Sequence, residues 1–206
     1  MPKYEKSTMD LKRRLRRALT ITAKEFKDAL DQGFEPTTGN KAYPERMVSY
    51  YYIRAIAMAL PRANVFLELP VTGKRERKQD NHIDALVFNN REVVVAEFKV
   101  GWAPSHWEAL ARDFQRLTGP IAKEIRKKFK SGRRRRAFIL LGADCWHLEK
   151  AKTWKSGIRS GKWILPKPML AAPVHRDSLR VFSEEGKDYD GYYFTWAVIP
   201  FDEMAA

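Results

Sequence analysis

The amino-acid sequence predicts an α/β fold, an αβββαβ core whose mixed central sheet is flanked by helices. Three observations carry this expectation. Apolar residues recur at helical spacing as far as Pro61 and at alternate positions after it. Two of the alternating runs, 82–88 and 92–100, meet across Asn89, Asn90 and Arg91, the composition of a tight hairpin turn. A later run, 137–141, is short and wholly apolar, as a strand covered on both faces must be.

Taken in chain order, Ser7 to Leu30 reads as a helix. Ser7 or Thr8 is placed to cap it, Leu11, Leu15, Ala18 and Leu19 form its apolar stripe, and Lys12, Arg13, Arg14, Arg16 and Arg17 crowd the remaining surface. Gly33, Gly39 and Asn40 break it. A second helix is expected from about Pro44 to Leu60, with Val48, Tyr52, Ile56 and Ala59 on one side and Pro61 as its stop. Asn64 to Val71 reads as a strand, the charged segment 73–78 as a loop, and the hairpin follows. Gly101 and Pro104 interrupt the alternation, and Ser105 is placed to cap a helix reaching about Lys130. Beyond Gly142 the pattern weakens, and 163–165, 179–182 and 192–199 read as late strands on an edge or in a hairpin. With 206 residues, no internal repeat and no low-complexity linker, one domain is expected. It comprises a core over about 43–141, a basic helix over about 7–32 and a β-rich C-terminal extension over 142–206.

Composition narrows the partners. Lysine and arginine number 39 against 25 acids, a formal net charge of +14, and the isoelectric point is near 9.9. Such an excess points to polyanions, nucleic acid before others. A content of 44% apolar and 12% aromatic residues excludes a disordered basic tail. The single cysteine, Cys145, excludes a disulfide framework or a multi-cysteine zinc site. No apolar stretch has the length of a membrane span, and the first residues lack the apolar segment of a secretory signal. The expected setting is therefore the cytoplasm or the nucleoid rather than the exterior, with no membrane contact. Three basic runs, 12–17, 74–78 and 123–136, exceed what solubility requires, and phosphate neutralisation is the economical reading. Arg13, Arg14, Arg16, Arg17, Lys74, Arg75, Arg133, Arg134, Arg135 and Arg136 are the candidate contacts.

The chemistry is concentrated in the hairpin. Glu97 and Lys99 stand two residues apart in an otherwise apolar strand, so both side chains leave the same face. Charges in a segment that wants burial are costly unless paired or ligated. Asp84 heads the preceding apolar run, and a turn at 89–91 lays it near Glu97. Two carboxylates on neighbouring strands make a hard, oxygen-rich site suited to Mg²⁺ or Mn²⁺. A lysine beside them can orient or deprotonate water and offset phosphate charge, which are the requirements of phosphodiester hydrolysis.

Asp84, a short hairpin, then Glu97-Phe98-Lys99 resembles the PD-(D/E)XK nuclease superfamily, the restriction-endonuclease-like fold, over residues ~43–141. That resemblance implies Asp84 and Glu97 as metal ligands, helped by the Phe98 carbonyl, and Lys99 as the catalytic lysine. It adds Glu45 on the helix before the first core strand, as a further acid, and Gln115 on the helix after the lysine strand. Ile83 stands where the family name has proline. The implied activity is that of a Mg²⁺- or Mn²⁺-dependent deoxyribonuclease, an endonuclease in kind. Internal against terminal cutting, and DNA against RNA, stay open; a homodimer would suit cleavage of both strands.

Other uses of the same residues stay open as well. Glu97 and Lys99 could be a salt bridge on a solvated sheet face, and the fold could be a nucleic-acid-binding module without catalysis. Glu45 also suits the first turn of any helix, and Gln115 any solvated helix surface. His82 is within reach of the site but reads as structural. Glu68 is either a further site acid or an edge residue, its phase favouring the edge, and Trp146, Trp154, Trp163 and Trp196 read as core rather than a base-stacking platform.

Overall fold

Leu11, Leu15, Ala18, Leu19, Ala23 and Phe26 repeat every three or four residues, and all six are buried. They lie on helix α1 (Lys3–Asp31) of the computed structural model, which describes residues 3–32, 45–70, 82–99, 104–119, 136–158, 175–183 and 190–200. The helix begins before Ser7 and Thr8, which are therefore interior positions and not caps. Helix α2 (Glu45–Ala59) buries Val48, Tyr52, Ala55, Ile56 and Ala59. It runs antiparallel to α1: Arg54 pairs with Glu25 at 2.7 Å, and Arg14 donates to the Ala59 carbonyl at 2.5 Å.

Strands β1 (Asn64–Pro70), β2 (His82–Phe88) and β3 (Glu92–Lys99) form an antiparallel meander. Helix α3 (Pro104–Thr118) follows, with Pro104 rather than Ser105 at its first position. The continuation to Lys130 lies outside the described residues. β4 (Arg136–Cys145) returns parallel to β3, a pairing that requires the crossover α3 provides. Helix α4 (Leu148–Ser156), β5 (His175–Phe182) and β6 (Tyr192–Pro200) complete the described chain, and 163–165 is outside it. The six strands lie in the order β1-β2-β3-β4-β6-β5, a mixed sheet. The αβββαβ order is thus present, and the late strands extend the same sheet.

The C-terminal part departs from expectation in two ways. Helix α4 has weak periodicity and owes its place to Trp154, wholly buried with its indole N–H on the Trp196 carbonyl at 2.9 Å. β6 is an interior strand, buried along its whole length between β4 and β5. Trp146, Trp154 and Trp196 are accordingly core.

Each sheet face has its own core. α1 and α2 cover one, meeting Val94, Ala96, Phe98, Leu140 and Phe194; α3 and Trp154 cover the other, meeting Val93, Val95, Ile139 and Leu141. Alternation along β3 therefore turns Phe98 toward α2 and Glu97 and Lys99 toward α3. Phe98 stacks on Tyr52 with ring centres 5.3 Å apart, and it lies opposite Gly142. A Cβ at Gly142 would meet the Phe98 ring at 2.7 Å, so only glycine lets β4 pass beneath it. The Tyr52 hydroxyl is shared between the carbonyls of Ala143 and Thr195, at 2.8 and 2.9 Å. These contacts fix the backbone on which Glu97 and Lys99 stand.

Glu92 opens β3 at 3% exposure, and Arg14 meets both its oxygens, at 2.7 and 2.9 Å, with Arg136 at 3.3 Å. A buried carboxylate stripped of its partner is costly. Arg14 is 28% exposed and Arg136 would remain, so Arg14→Met is expected to destabilise by about 1–2 kcal/mol, below the value for a fully buried pair. Chemical denaturation measures this, and an unchanged midpoint would show that Arg136 suffices.

Candidate active site

The register of β2 and β3 sets Ala85 opposite Ala96, so one step further brings Asp84 opposite Glu97. Here the side chain of Asp84 continues the ladder: its Oδ2 accepts the Phe98 N–H at 2.7 Å. Glu97 is 1% exposed. From α3, Arg116 places Nη2 2.5 Å from Glu97 Oε1 and 3.3 Å from Asp113 Oδ1. Asp113 Oδ2 lies 3.4 Å from Lys99 Nζ, and Glu45 Oε1, at the first turn of α2, lies 3.8 Å from the same nitrogen. Four acids from four elements, β2, β3, α2 and α3, thus surround one lysine and one arginine at the C-terminal end of β3.

Asp84, Glu97 and Lys99, expected together from the hairpin spacing, lie at one end of β3, and Glu45, which only the resemblance suggested, reaches Lys99. Gln115 is not: its side chain is exposed. α3 buries Trp107, Leu110, Phe114 and Leu117, and this turns Asp113 and Arg116, three residues apart, toward the charges instead. Neither was singled out from the sequence. Both sit in a helix rich in charge, and only the packing angle of α3 distinguishes them from Arg112 or Glu108, which are exposed. Glu68 and His82 are exposed, and Glu68 adopts φ 49° on the edge strand.

The basic positions divide. Arg13 and Arg17 are exposed. Arg14 and Arg16 are engaged within the protein, a correction to the reading of 12–17 as one outward face: Arg14 holds Glu92, and Arg16 pairs with buried Asp177 of β5. The reason is that α1 lies across the sheet with acids of β3 and β5 beneath its flanks. Arg136 is shared between Glu92 and solvent, its side chain 41% exposed. Lys74, Arg75, Arg133, Arg134 and Arg135 lie outside the described residues.

Electrostatics single out Glu97. Burial, then the neighbouring charges of Asp84 and Asp113, push its carboxyl up to about 9, against the pull of Arg116 and Lys99. For Lys99, burial disfavours the ammonium, but Asp113, Asp84, Glu45 and Glu97 together outweigh it and hold the pKa above its ordinary value. The lysine is charged at neutral pH.

The donor set suits a hard cation. Phe98 engages Oδ2 of Asp84 and Arg116 engages Oε1 of Glu97, so Oδ1 and Oε2 are the oxygens that could hold one. Among the described residues no group of three or more His, Cys, Asp or Glu side chains is placed to hold a metal ion. Two carboxylates still match Mg²⁺, which keeps waters and takes substrate phosphate to complete its octahedron. A cation on Glu97 must displace its proton. Mn²⁺ affinity is therefore expected to rise about tenfold per pH unit between ~6 and ~8.5. Titration calorimetry at several pH values measures this, and a flat profile would remove Glu97 from the ligand set.

Comparison of this chain with protein-family models, with curated proteins and with solved structures finds no match. No helix among the described residues is long and apolar enough to cross a membrane.

Proposed function

We propose that this protein is a metal-dependent nuclease that hydrolyses phosphodiester bonds in DNA. The observation that carries the reading is the placement of Glu97, a carboxylate buried in the sheet beside Asp84 with Lys99 on the same face. Burial beside Asp84 and Asp113 makes ionisation of this carboxyl costly, a cost that packing does not explain and that a divalent cation would offset. In this reading Asp84, Glu97 and the Phe98 carbonyl would hold Mg²⁺ or Mn²⁺, with Glu45 at the rim. The ion would supply Lewis acidity at the scissile phosphate. Lys99, held by Asp113 and Glu45, presents its ammonium to the attacking water and to the negative charge that develops on the phosphoryl oxygens. Arg116 keeps the Glu97 carboxylate in one orientation. A dimer would bring two such centres to the two strands of a duplex.

One observation favours a second reading, a binding module without catalysis: Arg116 already pairs with Glu97, as a purely structural ion pair would. A single assay divides the two. Supercoiled, linear and branched DNA are incubated with purified protein, with Mg²⁺ or Mn²⁺ and with EDTA. Cleavage that requires the metal and disappears in Asp84→Asn supports the nuclease. DNA binding without cleavage under any metal would overturn it in favour of the module.

A further inference from the structure

The sheet is electrically polarised along its strands. The acidic centre stands where β3 ends, whereas arginines gather where it begins. Arg14 of α1 bridges the Ala59 carbonyl and Glu92. The next turn of chain carries Arg62, and the Pro61 carbonyl accepts from Asn89 of the β2–β3 hairpin. That hairpin carries Arg91, whose carbonyl accepts the Arg136 N–H at 2.9 Å. Arg13 and Arg17 lie on the flank of α1 beside Arg14. Five arginines, Arg13, Arg17, Arg62, Arg91 and Arg136, thus stand around two acids, Asp10 and Glu92. Arg13, Arg17, Arg62 and Arg91 are exposed.

Two features argue against a merely solvated rim. Arg62 is held at φ 58°, the left-handed conformation that glycine or asparagine adopts more cheaply, so the turn after α2 bears strain while presenting a cation. Among the described residues the acids at this end, Glu92 and Asp10, are already engaged: Glu92 by Arg14 and Arg136, Asp10 by Arg13 and Arg14 at 3.2 Å. Arg17, Arg62 and Arg91 thus add exposed positive charge beyond these described ion pairs.

We infer that this arginine end is a separate contact for the backbone of duplex DNA, remote from the acidic centre. The seven steps along β3 from Glu92 to Lys99 span about 23 Å of strand. At 3.4 Å per base pair, the grip lies ~6–7 base pairs from the phosphate at the acidic centre. Binding and cleavage are then functions of opposite ends of one sheet. From the proposed function the inference takes only its partner, since gripping a duplex requires neither metal nor cleavage.

The test uses the full chain in EDTA, with duplex affinity followed by fluorescence anisotropy from 50 to 300 mM salt. Combined Arg13→Gln, Arg62→Gln and Arg91→Gln is expected to weaken binding ~10–10²-fold at 0.1 M salt and to reduce the salt slope by ~2–3, at ~0.9 per phosphate. These side chains are exposed, and a thermal melt matching the parent's confirms the fold; should the triple variant melt early, Arg91→Gln and Arg62→Gln alone are each expected to lower the slope by about 1. Unchanged affinity and slope would overturn the inference. So would binding that is lost from vesicles containing phosphatidylserine but not from DNA. A parent protein that grips DNA through these arginines and never cuts it would support the inference while overturning the nuclease reading.

Discussion

Glu97→Gln is expected to yield a protein that melts higher than its parent at pH 8 in EDTA and no longer cleaves DNA. The carboxyl titrates near 9 in the folded protein against an ordinary value of 4.5. Between those values the folded chain holds a proton that the unfolded chain has released, so the contribution of Glu97 to stability falls as pH rises through the window. Glutamine keeps the shape and removes the titration. Arg116 retains an oxygen to bond, so the gain is smaller than the full linkage and amounts to about 1–3 kcal/mol at pH 8. At pH 4 the two proteins should converge. With Mn²⁺ the order is expected to reverse in part, because the parent gains stabilisation by ligand binding and the variant does not. The loss of turnover should reach at least ~10²-fold, since an oxygen ligand that helps stabilise the transition state is gone. Melting curves from pH 4 to 9, with and without Mn²⁺, and a cleavage assay measure all of this. A variant that melts lower at every pH, or that cuts at the parental rate, would exclude Glu97 from the metal site.

Lys99→Met is expected to bind DNA nearly as its parent does and to lose turnover by ~10²–10³, about 3–4 kcal/mol in the barrier. The methionine keeps most of the aliphatic stem and deletes the ammonium that faces Asp113 and Glu45. Asp113 retains Arg116 as a counter-charge, and the lysine side chain is 26% exposed, so folding should suffer little. An electrostatic stabiliser of the transition state shows in single-turnover rate; a structural cation shows in melting temperature. Substantial destabilisation in a protein whose parent has no cleavage would assign Lys99 to the ion-pair network of a binding module. Normal cleavage by Lys99→Met would place the reaction elsewhere.

The sequence alone determined whatever depends on neighbours along the chain. The 3.6-residue stripe of α1 and α2, the alternation of β2 and β3 and the Asn89–Arg91 turn are local signals. Because a hairpin register follows from its turn, the meeting of Asp84 and Glu97 was legible too. What the tertiary structure decided depends on how separate elements pack. The angle at which α3 lies on the sheet brings Asp113 and Arg116 to Glu97 and leaves Gln115 in solvent. The laying of α1 over β3 and β5 turns Arg14 and Arg16 toward Glu92 and Asp177. Helix α4 had too weak a period to be read, and it stands because Trp154 fills the space beside Trp107 and Trp196. Above all, the separation of basic and acidic ends is a product of topology. β3 and β4 run parallel, so the residues that open both strands, Glu92 and Arg136, share one end. Periodicity records which side of an element faces inward, but not which distant residues its flanks will meet. That choice belongs to packing, where burial of the large apolar surface sets the geometry and charged side chains take the partners it offers.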